Sequence, residues 1–148
     1  MMMVYGSLLK LRKVVNWMSN SIDIDDLADA ITQEIKNYNE DVSQGIDREA
    51  LKTANEARDE LKQTSPRSDK DGEHYADGWS RKKTGRGDEV GHTVYNKEKP
   101  QLTHLLEDGH LNRDGSRTPG QKHIEPVEEK YSEIFEKRVE EIIKKGGG

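Results

Sequence analysis

Apolar residues recur every three or four positions through the first half of the chain, with charged residues between them. The first such stripe consists of Ile24, Leu27, Ala28, Ile31, Ile35, Tyr38 and Val42. This spacing places the stripe on one face of an amphipathic helix, whose start Asp23 or Asp25 can cap. A second, thinner stripe consists of Ile46, Ala50, Ala54, Ala57 and Leu61. Since the Ser-Gln-Gly segment 43–45 separates the stripes, the pattern predicts two N-terminal helices, the second ending before Pro66.

The middle of the chain carries the signals of a β-hairpin. Residues 75–83 and 89–96 contain aromatic and β-branched residues, and they flank the turn-forming segment 84–88. Such residues on both sides of a glycine turn predict two antiparallel strands. A further short strand is expected between His110 and Ile124.

The last part of the chain predicts a long helix that begins at Pro126, because proline is preorganised for a first helical turn. Its buried stripe consists of Val127, Tyr131, Ile134, Phe135, Val139, Ile142 and Ile143. Its charged outer face is either a docking surface or an ordinary solvated face. The predicted fold class is α+β: two N-terminal helices, a small antiparallel sheet built on a hairpin, a short helix and a long C-terminal helix.

Composition limits the core and narrows the class of protein. The chain has 148 residues, of which 30% are hydrophobic and 36% charged, so little apolar surface offsets the entropy of folding. We expect one α+β domain over residues 22–145, a flexible tail at 146–148, and a core that neighbouring molecules help to complete. A net charge of -5 gives no general attraction to DNA, and the lack of cysteine excludes disulfides and thiolate metal sites.

The first residues resemble an export signal only superficially. Lys10, Arg12 and Lys13 interrupt the apolar run, whereas a signal or a membrane span needs an unbroken one. We therefore predict a flexible N-terminal extension at residues 1–21, with Met18 as a plausible internal start, and no membrane association. The alternative is a basic amphipathic strip that docks on a membrane or on a partner.

Three histidines are candidate metal ligands. His104 and His110 are six residues apart, and His123 follows after a loop. A zinc site can be drawn from them, but helical ligand pairs need a spacing of three or four. Histidines that bond the backbone at loop corners are the favoured interpretation, so we expect no metal and no cofactor.

Other signals of chemistry are equally weak. Glu107 and Asp108 are adjacent, so their side chains diverge on a helix and do not form an acid-base pair. The glycines of the segment 85–87 lie in a predicted turn and do not open a helix, as a phosphate-binding loop would. We expect no enzymatic activity.

A basic run beside Trp79 suggests nucleic-acid binding through phosphate contacts and stacking. The run includes Arg81, Lys83 and Arg86. Alternation along a strand points neighbouring side chains in opposite directions, and nearby acidic residues dilute the field. A solvated hairpin is therefore the favoured interpretation, and a nucleic-acid surface is the alternative.

Several motifs taken together resemble a known family over residues 22–145. They include the two-helix start and the segments Ser65-Pro66, Tyr75-Ala76-Asp77-Gly78-Trp79, Val94-Tyr95-Asn96, Leu102 to His110, Pro119-Gly120 and His123-Ile124-Glu125-Pro126. In these segments taken together, the chain resembles the HK-ninety-seven gene-product-ten family of tail-completion or neck proteins of long-tailed bacteriophages. The first seventeen residues and the acidic loop around 69–73 depart from the family pattern.

The resemblance implies a structural protein without catalytic residues, located in the virion at the neck that joins the DNA-filled head to the tail, and assembled in the host cytoplasm. It implies a homo-oligomeric ring, which we expect to hold six or twelve copies, and contacts with other neck, connector and tail proteins. The candidate subunit or partner interface consists of Trp79, His104, Glu107, His110, Arg113, Arg117 and His123. The side chains expected to face DNA in a channel are Arg81, Lys83, Arg86 and Lys122.

Three classes of function therefore remain after the sequence is considered. The structural ring component is the first, a small nucleic-acid-binding adaptor is the second, and a metal-dependent hydrolase is the third. Oligomeric state, salt-dependent DNA binding and bound zinc distinguish the three.

Overall fold

A computed structural model describes residues 24–68, 72, 74–85 and 91–147 of the chain. The predicted flexible extension at residues 1–21 lies outside the described residues, as does Arg86. Within them the fold is α+β: a long N-terminal helix, two small antiparallel sheets and a C-terminal helix.

Helix α1 runs without interruption from Ile24 to Thr64, so the prediction of two N-terminal helices was wrong. Glycine in a helix costs only about 1 kcal/mol relative to alanine, and the segment 43–45 contains no proline. Gly45 is buried, and a β-carbon there would lie 2.8 Å from Ile142 Cγ2 and 3.0 Å from the Gly147 carbonyl oxygen. Gly45 is therefore explained by close packing and does not interrupt the helix.

One compact unit consists, within the described residues, of 24–46 and 139–147. The Tyr38 hydroxyl donates a hydrogen bond to the Ile143 carbonyl over 3.0 Å. The backbone N–H of Gly147 donates to the Ile142 carbonyl over 2.9 Å, and left-handed Gly146, φ 75°, closes the end of the last helix. Gly147 is buried in this turn.

The second compact unit, Asp47–Arg138, holds both sheets. A 3₁₀ turn at Tyr75–Gly78 leads into β1, Trp79–Thr84, which pairs antiparallel with β2, Gly91–Asn96. The register sets Trp79 opposite Asn96 and Thr84 opposite Gly91, which confirms the predicted antiparallel pair.

A second 3₁₀ turn, Pro100–Leu102, precedes the short helix α2 at Thr103–Asp108. Strand β3, Gly109–Leu111, then pairs antiparallel with β4, Arg117–Pro119. Helix α3 runs from Ile124 to Lys145 and so begins two residues before the predicted start at Pro126.

The core of this second unit is small. Its buried members are Leu61, Tyr75, Trp79 and Val127, and partly buried apolar residues pack around them: Ala57, Val94, Leu102, Leu106, Ile124 and Tyr131. Since α2 and the start of α3 both contribute to this cluster, the polar side chains between them lose contact with water and need partners inside the protein.

Candidate functional site

The N-terminus of α3 is organised by a carboxylate from α2. Glu107 Oε2 accepts hydrogen bonds of 2.9 Å from the backbone N–H groups of His123 and Ile124, and Oε1 accepts one of 2.9 Å from Glu125. The first N–H groups of a helix have no partner within the helix, and they carry partial positive charge. Glu107 supplies both the acceptors and the negative charge from sixteen to eighteen residues upstream.

Two opposing effects set the proton affinity of Glu107. Burial raises its pKa, whereas the three backbone N–H groups and His123 lower it, and the net result is a pKa below the ordinary value. The side chain is therefore an ionised acceptor at neutral pH. A general acid needs a raised pKa, so the environment of Glu107 favours capping over proton donation.

His123 joins this carboxylate to the aromatic core. Its Nδ1 lies 2.8 Å from the Gln121 carbonyl oxygen and 3.0 Å from Glu107 Oε2, while its Nε2 lies 3.0 Å from the Tyr75 hydroxyl. Both neighbours of Nδ1 are acceptors, so Nδ1 carries a proton, and Nε2 pairs with the Tyr75 hydroxyl. The bond to Gln121 agrees with the interpretation of loop histidines as backbone partners.

Tyr75 and Trp79 complete the network. Burial, together with the negative charge of Glu107, raises the pKa of Tyr75 to about 12, so its hydroxyl stays protonated and can donate. The two rings meet edge to face with centroids 5.7 Å apart, and the Trp79 indole N–H donates to Ser65 Oγ over 2.7 Å. Tyr75, Trp79, Glu107 and His123 are each at most 8% exposed. The network thus links Ser65, the residue after α1, with the first 3₁₀ turn, β1, α2 and the start of α3.

Sequence reasoning missed two members of this arrangement, Tyr75 and Asn96. Asn96 is 2% exposed; its amide donates to the Tyr75 carbonyl over 2.7 Å, and its Oδ1 accepts from the Lys99 N–H over 2.8 Å. Gly78 makes room for it, because a β-carbon on Gly78 would lie 2.5 Å from Asn96 Oδ1. The Tyr-Ala-Asp-Gly-Trp and Val-Tyr-Asn segments were recognised as family motifs, but their spacing gave no sign of these contacts.

The structure separates the predicted interface residues into two sets. Trp79, Glu107 and His123 are buried, and their side chains are engaged within the chain. His104, Arg113 and Arg117 are exposed, while His110 is half-buried, with its Nδ1 enclosed and without a hydrogen-bond partner. The β3–β4 hairpin thus presents arginines beside Leu111, which is 72% exposed. Contact with another subunit stays a prediction for all seven.

The predicted DNA-facing residues of the described part of the chain differ in exposure and in their partners. Arg81 is half-buried and donates to Asn55 Oδ1 over 3.0 Å and to His92 Nδ1 over 2.9 Å. Burial and the positive charges of Arg81 and Lys83 lower the pKa of His92, which suits it as the acceptor. Lys83 is exposed, and exposed Lys122 lies 3.1 Å from both Asp108 and Glu125. Trp79 is buried, so its ring is closed to base stacking.

The described chain contains no group of three or more His, Cys, Asp or Glu side chains placed to hold a metal ion, so His104, His110 and His123 do not converge as ligands. None of the described helices combines the length and the apolar character that a membrane-spanning segment needs.

Comparison with known proteins gives one match. A family model whose description reads "Bacteriophage HK97-gp10, putative tail-component" matches residues 29–109. The matched region runs from the first turns of α1 through both strands of the first sheet and α2 to Gly109. No match was found among curated proteins or among solved structures.

Proposed function

Because the chain belongs to the HK97-gp10-like family of bacteriophage tail components, we propose that it is a structural protein of the head-tail junction. In this role it acts as a neck or tail-completion protein in the virion, forms a ring of six or twelve copies, and leaves a channel through which DNA passes. The family match over residues 29–109 carries the proposal.

The use of the chain's polar groups supports a structural role. Glu107, His123 and Tyr75 have the residue types of a proton relay, but each is at most 8% exposed and bonded to another part of the chain. A substrate cannot reach them without opening the core. We propose that the protein has no catalytic role and that this network stiffens the unit Asp47–Arg138.

The sheets and the small core support assembly with other copies. In the described residues each sheet has two strands, so each strand has an edge that no further strand covers. A ring forms when one patch meets a different patch on the next copy and the rotation closes. We propose that the β3–β4 hairpin, Gly109–Pro119, forms one such patch through exposed Leu111 and its flanking arginines.

Contact with DNA is proposed to be weak and independent of sequence. Lys83 and Lys122 are exposed, Arg81 is held by its neighbours, and the chain carries a net charge of -5. Phosphate binding depends on several free cations acting together. Sparse cations in a channel allow DNA to pass without being gripped.

The proposal is tested by measuring the mass of the assembly and by genetics in the parent phage. Native mass spectrometry of the full chain, alone and mixed with neighbouring neck proteins, is expected to show six or twelve times the 16.9 kDa chain mass. Leu111→Asp should abolish that species. Ser132→Asp, which adds the same charge at an exposed position of α3, should leave it intact.

In the phage, deleting the gene should yield DNA-filled heads and separate tails that fail to join, and the intact gene supplied in trans should restore joining. Infectious virions with attached tails in the deletion strain would refute the neck role. A chain that stays monomeric with every neck protein, yet binds DNA with a steep salt dependence, would favour the adaptor alternative.

A further inference from the structure

Helix α1 carries an exposed apolar strip within the first compact unit. Its members recur seven, four and three residues apart and therefore share one helix face: Ile24, Ile31, Ile35 and Tyr38. We name these four residues the α1 strip. Each of them is at least 43% exposed. Single exposed apolar residues are ordinary, but residues that line up in this way indicate a surface for another molecule.

Acidic residues border one edge of the α1 strip. Glu34 lies three residues after Ile31, and this spacing on a helix brings β-carbons to within about 5–6 Å. Asp41 has the same relation to Tyr38. Neither carboxylate forms an ion pair with another described residue. Residues 24–42 together contain six acidic side chains and one basic one, so the same face of a second copy would be repelled. The fitting occupant is apolar, with a basic group beside its apolar side chain.

The β3–β4 hairpin of a second copy has this chemistry. Its register pairs Leu111 with Arg117, and residues paired across antiparallel strands project from the same face of the sheet. Leu111, Arg113 and Arg117 are exposed, and neither guanidinium forms an ion pair or a hydrogen bond with another described residue. The one acidic residue of the hairpin, Asp114, is engaged locally, because its Oδ1 accepts from the N–H and the hydroxyl of Ser116.

The spacing of apolar and charged groups also agrees between the two surfaces. Paired residues of an antiparallel sheet have β-carbons about 4.5–5.5 Å apart, which is close to the helical spacing of about 5–6 Å. When Leu111 lies on Ile31, the arginine paired with Leu111 therefore reaches Glu34. Attraction between opposite charges then adds to the burial of the two apolar side chains.

We propose that the hairpin face with Leu111 and Arg117 docks on the α1 strip of a second copy. Leu111 packs against Ile31, and the guanidinium beside it pairs with Glu34. The contact joins one patch to a different patch on the next molecule, as a ring requires. The inference rests on the proposed ring of copies and deepens it, because it names the surface that the hairpin meets.

Chemical cross-linking tests the contact directly, because the chain contains no cysteine and every thiol is then an introduced one. Ile31→Cys and Leu111→Cys are made in separate full-length chains, the second labelled with a heavy nitrogen isotope, and the mixture is treated with a short bismaleimide. Mass spectrometry distinguishes the mixed dimer from the two dimers of like chains. We expect the mixed dimer to be about tenfold more abundant than either of the others.

Reversing one charge on each side tests the ion pair. Arg117→Glu in the Leu111→Cys chain should lower the yield of the mixed dimer about fivefold, because it sets like charges together. Glu34→Arg in the Ile31→Cys chain should have the same effect. Mixing the two reversed chains should restore the yield, which a folding defect in either chain would not do.

Gln33→Cys is the matched control for Ile31→Cys, because it places the thiol on the opposite face of α1 at an exposed position. This chain should give no excess of the mixed dimer. Unchanged far-ultraviolet circular dichroism identifies the variants that keep their helices.

Equal yields of the mixed dimer from Ile31→Cys and Gln33→Cys would overturn the contact. If the native chain still formed a species of six or twelve copies, the proposed ring would stand without that contact. A dominant dimer of two Ile31→Cys chains would also overturn it and would assign the strip to the same face of a second copy. A specific mixed dimer without any closed species would support the contact and overturn the ring.

Discussion

Replacing Glu107 with glutamine tests whether one carboxylate organises the start of α3. The substitution keeps the shape of the side chain but removes its charge and turns one of its oxygens into an NH₂ group. The best orientation keeps oxygen facing His123 and Ile124, and then the NH₂ group faces the N–H of Glu125. A buried donor is left without an acceptor, and the negative charge at the positive end of the helix is lost.

Each of these effects has a known size. Hydrogen bonds to charged groups contribute about 1.5–3 kcal/mol, and a charge at a partly buried helix terminus contributes up to about 2 kcal/mol. These contributions overlap, so we expect Glu107→Gln to lower the free energy of unfolding by about 2 kcal/mol at pH 7. This contribution exceeds that of a carboxylate at an exposed helix terminus because Glu107 is only 8% exposed.

Urea denaturation followed by circular dichroism measures the effect, with linear extrapolation to zero denaturant. Asp108→Asn is the matched control, since Asp108 is the next residue and pairs with Lys122 only at the surface. If Glu107→Gln were no less stable than Asp108→Asn, the role of the Glu107 carboxylate in capping α3 would be refuted.

Two further predictions concern Glu107 and Gly45. The pKa of Glu107 is lowered on folding, so its stabilisation is complete above the unfolded value of 4.5 and is lost as pH falls through the lower folded value; acid titration of stability should therefore be steeper in the native chain than in Glu107→Gln. Gly45→Ala should destabilise the chain by about 1 kcal/mol, because the clash with Ile142 and Gly147 outweighs the better helix propensity of alanine. Ser43→Ala, at an exposed position, should not destabilise it in the same urea assay.

Local patterns predicted most of the elements; the exceptions include the single N-terminal helix and the second sheet, for which only one short strand was expected. The antiparallel pair of β1 and β2 and the long last helix follow from strand alternation, turn residues and helical spacing, which act within a few residues. Gly45 defeated that reasoning, because glycine has the same local preference whether it ends a helix or admits a neighbouring chain. Its contacts with Ile142 and Gly147 come from about one hundred residues away.

The candidate site was less predictable than the fold. Glu107 and His123 stand out in the sequence as candidate interface residues, but their contacts inside the chain give no local signal. Those contacts depend on residues far apart in the sequence, such as Tyr75 and His123, which are 48 residues apart. Asn96 had no signal at all, because an asparagine at the end of a strand is ordinarily a turn residue on the surface.

Glu107 precedes α3 in the sequence, which affects how α3 forms during synthesis of the chain. Glu107 is synthesised 17 residues before Ile124, so at roughly 5–20 residues per second the ribosome delivers the acceptor before the first turn of the helix exists. Once the nascent chain has emerged beyond Glu125, every group in the cap is outside the exit tunnel. The first turn of the last helix can therefore be capped as soon as it emerges.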